Sequence, residues 1–129
     1  MINNGFTHME LNSTDPEKSI DFFKTLFPDW KFDELPSPAG PYTVIKPVDG
    51  ATCGGAIFKN PQPGCPSMWV PYIMVADLKA MTAKLEAMNA TIHIKLHDVG
   101  VGLITLFLDP TGAVTGLFEP KPGMAPSAK

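Results

Sequence analysis

The chain has little cysteine, no long apolar run and no basic stripe. Cys53 and Cys65 are the only cysteines, twelve residues apart and outside any CxxC pair. One bridge would not make a disulfide-built secreted scaffold, so the reading is two reduced thiols in a cytoplasmic protein. No stretch of 18 apolar residues occurs, and Met1-Ile2-Asn3-Asn4-Gly5 lacks a basic region with an apolar segment behind it. Neither a membrane span nor a signal peptide is expected. The formal charge is −3 with scattered lysines, which argues against nucleic acid as a partner. GxGxxG, Walker, HExxH and GxSxG patterns are all missing.

What is present suits one globular domain, residues 1–129. Hydrophobic residues make up 44% and charged residues 18% of the 129 positions, and a chain of this size buries roughly 65–70% of its unfolded surface. Asp15-Pro16 reads as an N-cap followed by proline at the first helical position. Ile20, Phe23, Leu26 and Phe27 then recur at helical spacing until Pro28. A second cap, Asp77, precedes Leu78, Met81, Leu85 and Met88 in a helix ending near Asn89. The short, mostly apolar or alternating runs predict eight strands: Phe6–Asn12, Trp30–Leu35, Tyr42–Lys46, Ala51–Phe58, Trp69–Val75, Thr91–Leu96, Val101–Leu108 and Ala113–Phe118. Pro71 demands an edge or a bulge at its position.

The order is β-α-β-β-β twice, and a shift of 62 residues makes the repeat explicit. It carries Asp15 onto Asp77, Gly40 onto Gly102, Thr43 onto Thr105, Gly50 onto Gly112, Ala51 onto Ala113 and Gly54 onto Gly116. The identities fall at caps and turns without a gap. The register then slips by two, since Phe58 resembles Phe118. Module 1 spans about 5–59, a proline-rich linker 60–67, module 2 about 68–119, and a flexible tail 120–129. The expected fold class is α+β, two tandem βαβββ modules whose curved mixed sheet encloses a central cavity, because each half leaves one sheet face uncovered by its helix.

The segments "ELNSTDPEKSIDFFKTLF" (10–27), "VADLKAMTAKLEAMNA" (75–90) and "DPTGAVTGLFEP" (109–120) resemble the vicinal-oxygen-chelate superfamily of glyoxalase I, bleomycin-resistance proteins and extradiol dioxygenases. The likeness covers nearly the whole chain and is nearest to a bacterial group known only as glyoxalase-like. It implies a homodimer and a small-molecule site between the modules. In metal-dependent members four ligands come from four strands. The resemblance puts the first, a histidine seven residues before the helix cap, at His8, and the repeat relates His8 to Val70. The last-strand glutamate falls at Gly116, which the repeat carries to Gly54. Three of the four positions thus lack a donor, and one imidazole cannot hold a divalent ion. Glu10 lies about 6.6 Å along the strand from His8, and His93 and His97 are about 13 Å apart, too far to chelate together. No metal and no cofactor are expected.

Strand alternation places Phe6, His8 and Glu10 on one face. As catalytic candidates Glu10 and His8 would act as bases, since burial raises a carboxylate's pKa toward the neutral range. The plainer alternative pairs Glu10 with a backbone N–H, His8 or a lysine. The expected ligand-binding set is Phe6, His8, Glu10, Gly54, Val70, Tyr72, Gly116 and Phe118, with Met68 and Met74 as an adaptable apolar wall or simply as core. Beside Cys53, Gly54-Gly55 would let a ligand approach the sheet backbone. The functional expectation is a glyoxalase- and bleomycin-resistance-like protein that binds a small molecule. The alternative is a lyase, isomerase or dioxygenase-type enzyme, metal-free with Glu10 or His8 as base or using a non-standard metal site.

Overall fold

The computed structural model describes residues 3–38, 40–49 and 53–122. Gly50 and Ala51 of the repeat, the expected start of the fourth strand at Ala51, and the tail from Gly123 lie outside the described residues. The elements run β1 (Gly5–Ser13), α1 (Pro16–Leu26), β2 (Phe32–Leu35), β3 (Tyr42–Ile45), β4 (Gly54–Lys59), β5 (Met68–Met74), α2 (Leu78–Ala87), β6 (Thr91–Asp98), β7 (Gly102–Leu108) and β8 (Val114–Pro120). The expected βαβββ order is therefore present twice, in an α+β fold of mixed sheet. The last strand runs through Pro120, so Pro120, expected to open the tail, belongs to β8, which also extends past the expected end at Phe118 to include Glu119.

Two compact units divide the chain, one made of residues 8–70 and the other of residue 71 onward with the residues before 8. In the first unit the strand order is β2-β3-β4-β1, with β1 and β4 parallel and the other pairs antiparallel. The second unit repeats the pattern as β5-β8-β7-β6, with β5 and β8 parallel. Pro71 directly precedes Tyr72, where the β8 ladder begins, so its missing N–H interrupts none of those paired positions.

Both helices start as their caps dictate. Asp15 accepts from Lys18 N–H at 3.3 Å and Asp77 from Ala80 N–H at 3.0 Å, each satisfying a backbone donor that the first turn leaves unpaired. Their packing differs. α2 buries Leu78, Thr82 and Leu85 against Val75 and Leu117, and Thr82 and Thr105 share a 2.9 Å hydrogen bond. α1 buries no residue fully. Its Ile20 and Phe23 rest on Leu11, Ile45 and Ile57, while Phe22, Leu26 and Phe27 stay exposed. The Asp109-Pro110-Thr111-Gly112 turn between β7 and β8 is tied by Asp109 Oδ1, which accepts from the N–H groups of Thr111 and Ala113. Gly112 there has φ +94°, a conformation that favours a residue without Cβ.

Candidate functional site

In the first unit, β1 sends Leu11 toward α1, so alternation directs His8, Glu10 and Asn12 to the face without a helix. The ladder extends that face across the sheet. His8 pairs with Gly54, Glu10 with Ala56 and Asn12 with Phe58, and β3 adds Val44 beside Ala56 and Tyr42 beside Phe58. Tyr42 and Phe58 rings lie 5.5 Å apart. β4 separates Tyr42 from Glu10, a gap of about 9–10 Å between strand axes. Tyr42 lies in the row of Phe58 and Asn12, so it meets Glu10 diagonally across β4, past the small Ala56 side chain, and forms a side-chain hydrogen bond with the carboxylate. The protonated phenol donates and the carboxylate accepts.

Burial dominates the electrostatics of this face. Glu10 and Asn12 are buried. Desolvation raises the Tyr42 hydroxyl pKa far above that of a free phenol, and the Glu10 charge and hydrogen bond raise it further, so the phenol stays protonated. The His8 imidazole is lowered from 6.5 to about 4 by burial and is neutral at pH 7. Asn12 Oδ1 is buried and has no hydrogen-bond partner among the described residues, an arrangement that costs roughly 1–3 kcal/mol unless a donor is supplied. The face therefore combines a positioned carboxylate, an open amide oxygen, a neutral imidazole and the Phe58 ring.

The remaining expected residues distribute as follows. Phe6 is 70% exposed, and Val70 is fully buried at the end of the first unit. In the second unit Tyr72 pairs with Gly116, and Phe118 follows on the same sheet face, opposite Leu117 and α2. This face is a packed apolar surface: Tyr72, Met74, Ile104, Leu106 and Phe118 are all buried. A Cβ at Gly116 would collide with the Tyr72 ring. The site set thus falls into a polar group around His8 and Glu10 and an apolar group around Tyr72.

The donor positions implied by the superfamily's metal chemistry do not fit an ion. The repeat also needs a correction: Glu10 pairs with Ala56, whereas its equivalent Tyr72 pairs with Gly116, so the counterpart of Gly116 is Ala56 and not Gly54. Neither residue carries a ligating side chain. The one carboxylate of β8, Glu119, accepts from Leu78 N–H at 2.7 Å and is held at the start of α2. Among the described residues no group of three or more His, Cys, Asp or Glu could hold an ion.

Sequence reasoning missed Asn12 and Tyr42. Asn12 was accessible from alternation two residues beyond Glu10. Tyr42 was not, because its approach to Glu10 depends on the registers of β1, β4 and β3 together.

No protein-family model matches the chain. Over 115 residues it is 29% identical to "Putative glyoxylase CFP32" of Mycobacterium bovis, and to the same protein of Mycobacterium tuberculosis, covering 86% of this chain. The chain spans 44% of the length of those relatives. Methylmalonyl-CoA epimerase from Mycobacterium tuberculosis shares the fold with a TM-score of 0.64 at 13% identity, over 96% of this chain and 94% of that one. NAD-dependent benzaldehyde dehydrogenase from Legionella pneumophila gives 0.63 at 13%, over 88% and 98%. A Streptomyces coelicolor methylmalonyl-CoA epimerase variant in complex with 2-nitronate-propionyl-CoA gives 0.65 at 11%, over 97% and 100%. The duplicated βαβββ order, the similarity to the glyoxylase relatives and the fold shared with these epimerases together support assignment to the vicinal-oxygen-chelate superfamily.

Proposed function

We propose that the protein binds a small molecule on the helix-free face of its first module, without the superfamily's metal. The observation behind this reading is the Glu10 carboxylate positioned by Tyr42 beside the open acceptor Asn12 Oδ1. Such a face selects a ligand by its donors: hydroxyl, amide or ammonium hydrogens directed at Glu10 and Asn12, with an apolar part against Phe58. Support for a small-molecule ligand comes from the epimerase neighbour whose structure contains 2-nitronate-propionyl-CoA.

The test uses protein dialysed against EDTA. Saturation-transfer NMR is run against a mixed set of hydroxy acids, amines and acyl thioesters. Donor-bearing hits should weaken at least about tenfold in Glu10→Gln and Asn12→Leu, the loss expected for one or two charge-assisted or buried hydrogen bonds. Hits indifferent to both substitutions would overturn the reading. An enzymatic alternative uses the same carboxylate as a base on a carbon acid. It assigns the base to Glu10 rather than His8, because an imidazole with a pKa of about 4 is a weak base at neutral pH. Turnover abolished in Glu10→Gln and retained in His8→Gln would establish that alternative.

A further inference from the structure

A recess lies on the side of the first unit's sheet opposite Glu10, beside the loosely packed α1. Its volume is about 390 Å³, and Met9, Trp30, Ile45, Val48 and Trp69 supply much of its wall. That is within the range of roughly 300–1,000 Å³ typical of small-molecule sites. Gly54 and Gly55 form part of the wall, so the glycine pair exposes sheet backbone there. A Cβ at Gly55 would lie 3.0 Å from Met9 O. Met9, Val48 and Trp69 are 37%, 47% and 41% exposed, and they form a contiguous apolar patch rather than scattered residues. Trp30 stacks on Phe27 at 4.6 Å and on Phe23 at 5.7 Å, which fixes one wall as a rigid aromatic surface.

One cation, Lys46, belongs to the recess itself. Lys46 lines this recess and also the adjoining groove, which Lys24 and Lys31 share. Among the described residues none of these three lysines is in an ion pair, although three other lysines of the chain are. The Lys24 ammonium instead lies 5.6 Å from the Phe32 ring centroid.

We propose that this recess binds a medium-chain carboxylate, its apolar chain on Trp30 and Trp69 and its head group at Lys46. The occupant follows from complementarity: apolar walls exclude a compact polar anion, and the unpaired ammonium groups favour an anionic head over a neutral one. The site is on the α1 side of the sheet, and the Glu10 face is on the other.

Trp30 and Trp69 are the only tryptophans in the chain, so intrinsic fluorescence reports on this recess. Decanoate, titrated below its micelle concentration, should shift and saturate the emission. Decanol tests the head group, and Lys46→Glu and Val48→Asp, both at exposed positions, test the two ends of the site. Lys46→Glu should weaken decanoate at least about tenfold and leave decanol unchanged, and 1 M NaCl should reduce that difference. Val48→Asp should weaken both ligands. Equal binding of decanoate and decanol, or indifference to Lys46→Glu, would overturn the proposal. So would emission that changes with protein concentration but not with decanoate, which would make a second copy of the chain the occupant.

Discussion

The Glu10–Tyr42 pair joins a carboxylate acceptor to a phenol that does not ionise near neutral pH, so phenol ionisation does not break the hydrogen bond there. Removing the donor leaves a buried carboxylate with one fewer partner, which costs more than an exposed pair would. Tyr42→Phe should lower unfolding free energy by about 1–3 kcal/mol in urea titrations, and Glu10→Gln should recover part of that loss in the double variant. His8 acts on the same face with the opposite pH logic. Its folded pKa of about 4 lies below the ordinary 6.5, so between these values the unfolded chain binds the proton and the folded chain does not. Stability contributed by neutral His8 is complete above pH 6.5 and declines as pH falls toward 4, by up to about 3 kcal/mol. His8→Phe should flatten that part of the pH–stability curve. An unchanged slope in this variant would show that His8 is not the group responsible.

Each helix begins at an aspartate that the sequence makes plain, and α2 adds a second carboxylate where α1 adds the Ser13–Ser19 hydroxyl pair. Glu119, forty-one residues further on, accepts from Leu78 N–H, adding a carboxylate to the positive end of the helix. Asp15→Ala and Asp77→Ala should each cost about 1 kcal/mol by the loss of one cap bond. Glu119→Ala should cost about 1–2 kcal/mol, and hydrogen exchange should show the first turn of α2 opening while α1 keeps its protection. Equal effects on both helices would mean that Glu119 acts outside the cap. Local rules expose what is local: caps, alternation and the D-P-x-G turn placed all ten elements, and the repeat fixed their order. They did not reveal that Glu119 serves α2, nor that Tyr42 reaches diagonally across β4 to Glu10. Those contacts join residues separated by 41 and 32 positions and depend on ladder register. The two-residue offset between the parallel ladders was visible only as a slip at Phe58 and Phe118. That slip is what moves the counterpart of Gly116 from Gly54 to Ala56.

At the scale of the whole chain, duplication has left two modules with the same topology and different helix-free faces. One carries Glu10, Asn12 and Tyr42; the other is filled by Tyr72, Met74 and Phe118. This difference bears on whether a metal site could be recovered by a single substitution. A glutamate at Gly116 would have to place its Cβ where the Tyr72 ring already lies, and Tyr72 is only 1% exposed. Overpacking of this kind costs about 1–3 kcal/mol before any ion is bound. Gly116→Glu should therefore lower stability and gain no metal affinity, and Tyr72→Ala offers no rescue, since truncating a buried aromatic costs about 3–5 kcal/mol, more than the overpacking it would relieve. For the wild-type chain, elemental analysis for Ni, Zn, Mn and Fe should find well below one equivalent, and EDTA should leave the thermal midpoint in place. An ion bound only to the folded state at 100 times its Kd would add about 2.7 kcal/mol. Its removal would shift the midpoint by several degrees. Such a shift, or one tightly held equivalent per chain, would mean that residues other than the superfamily's four positions build a metal site.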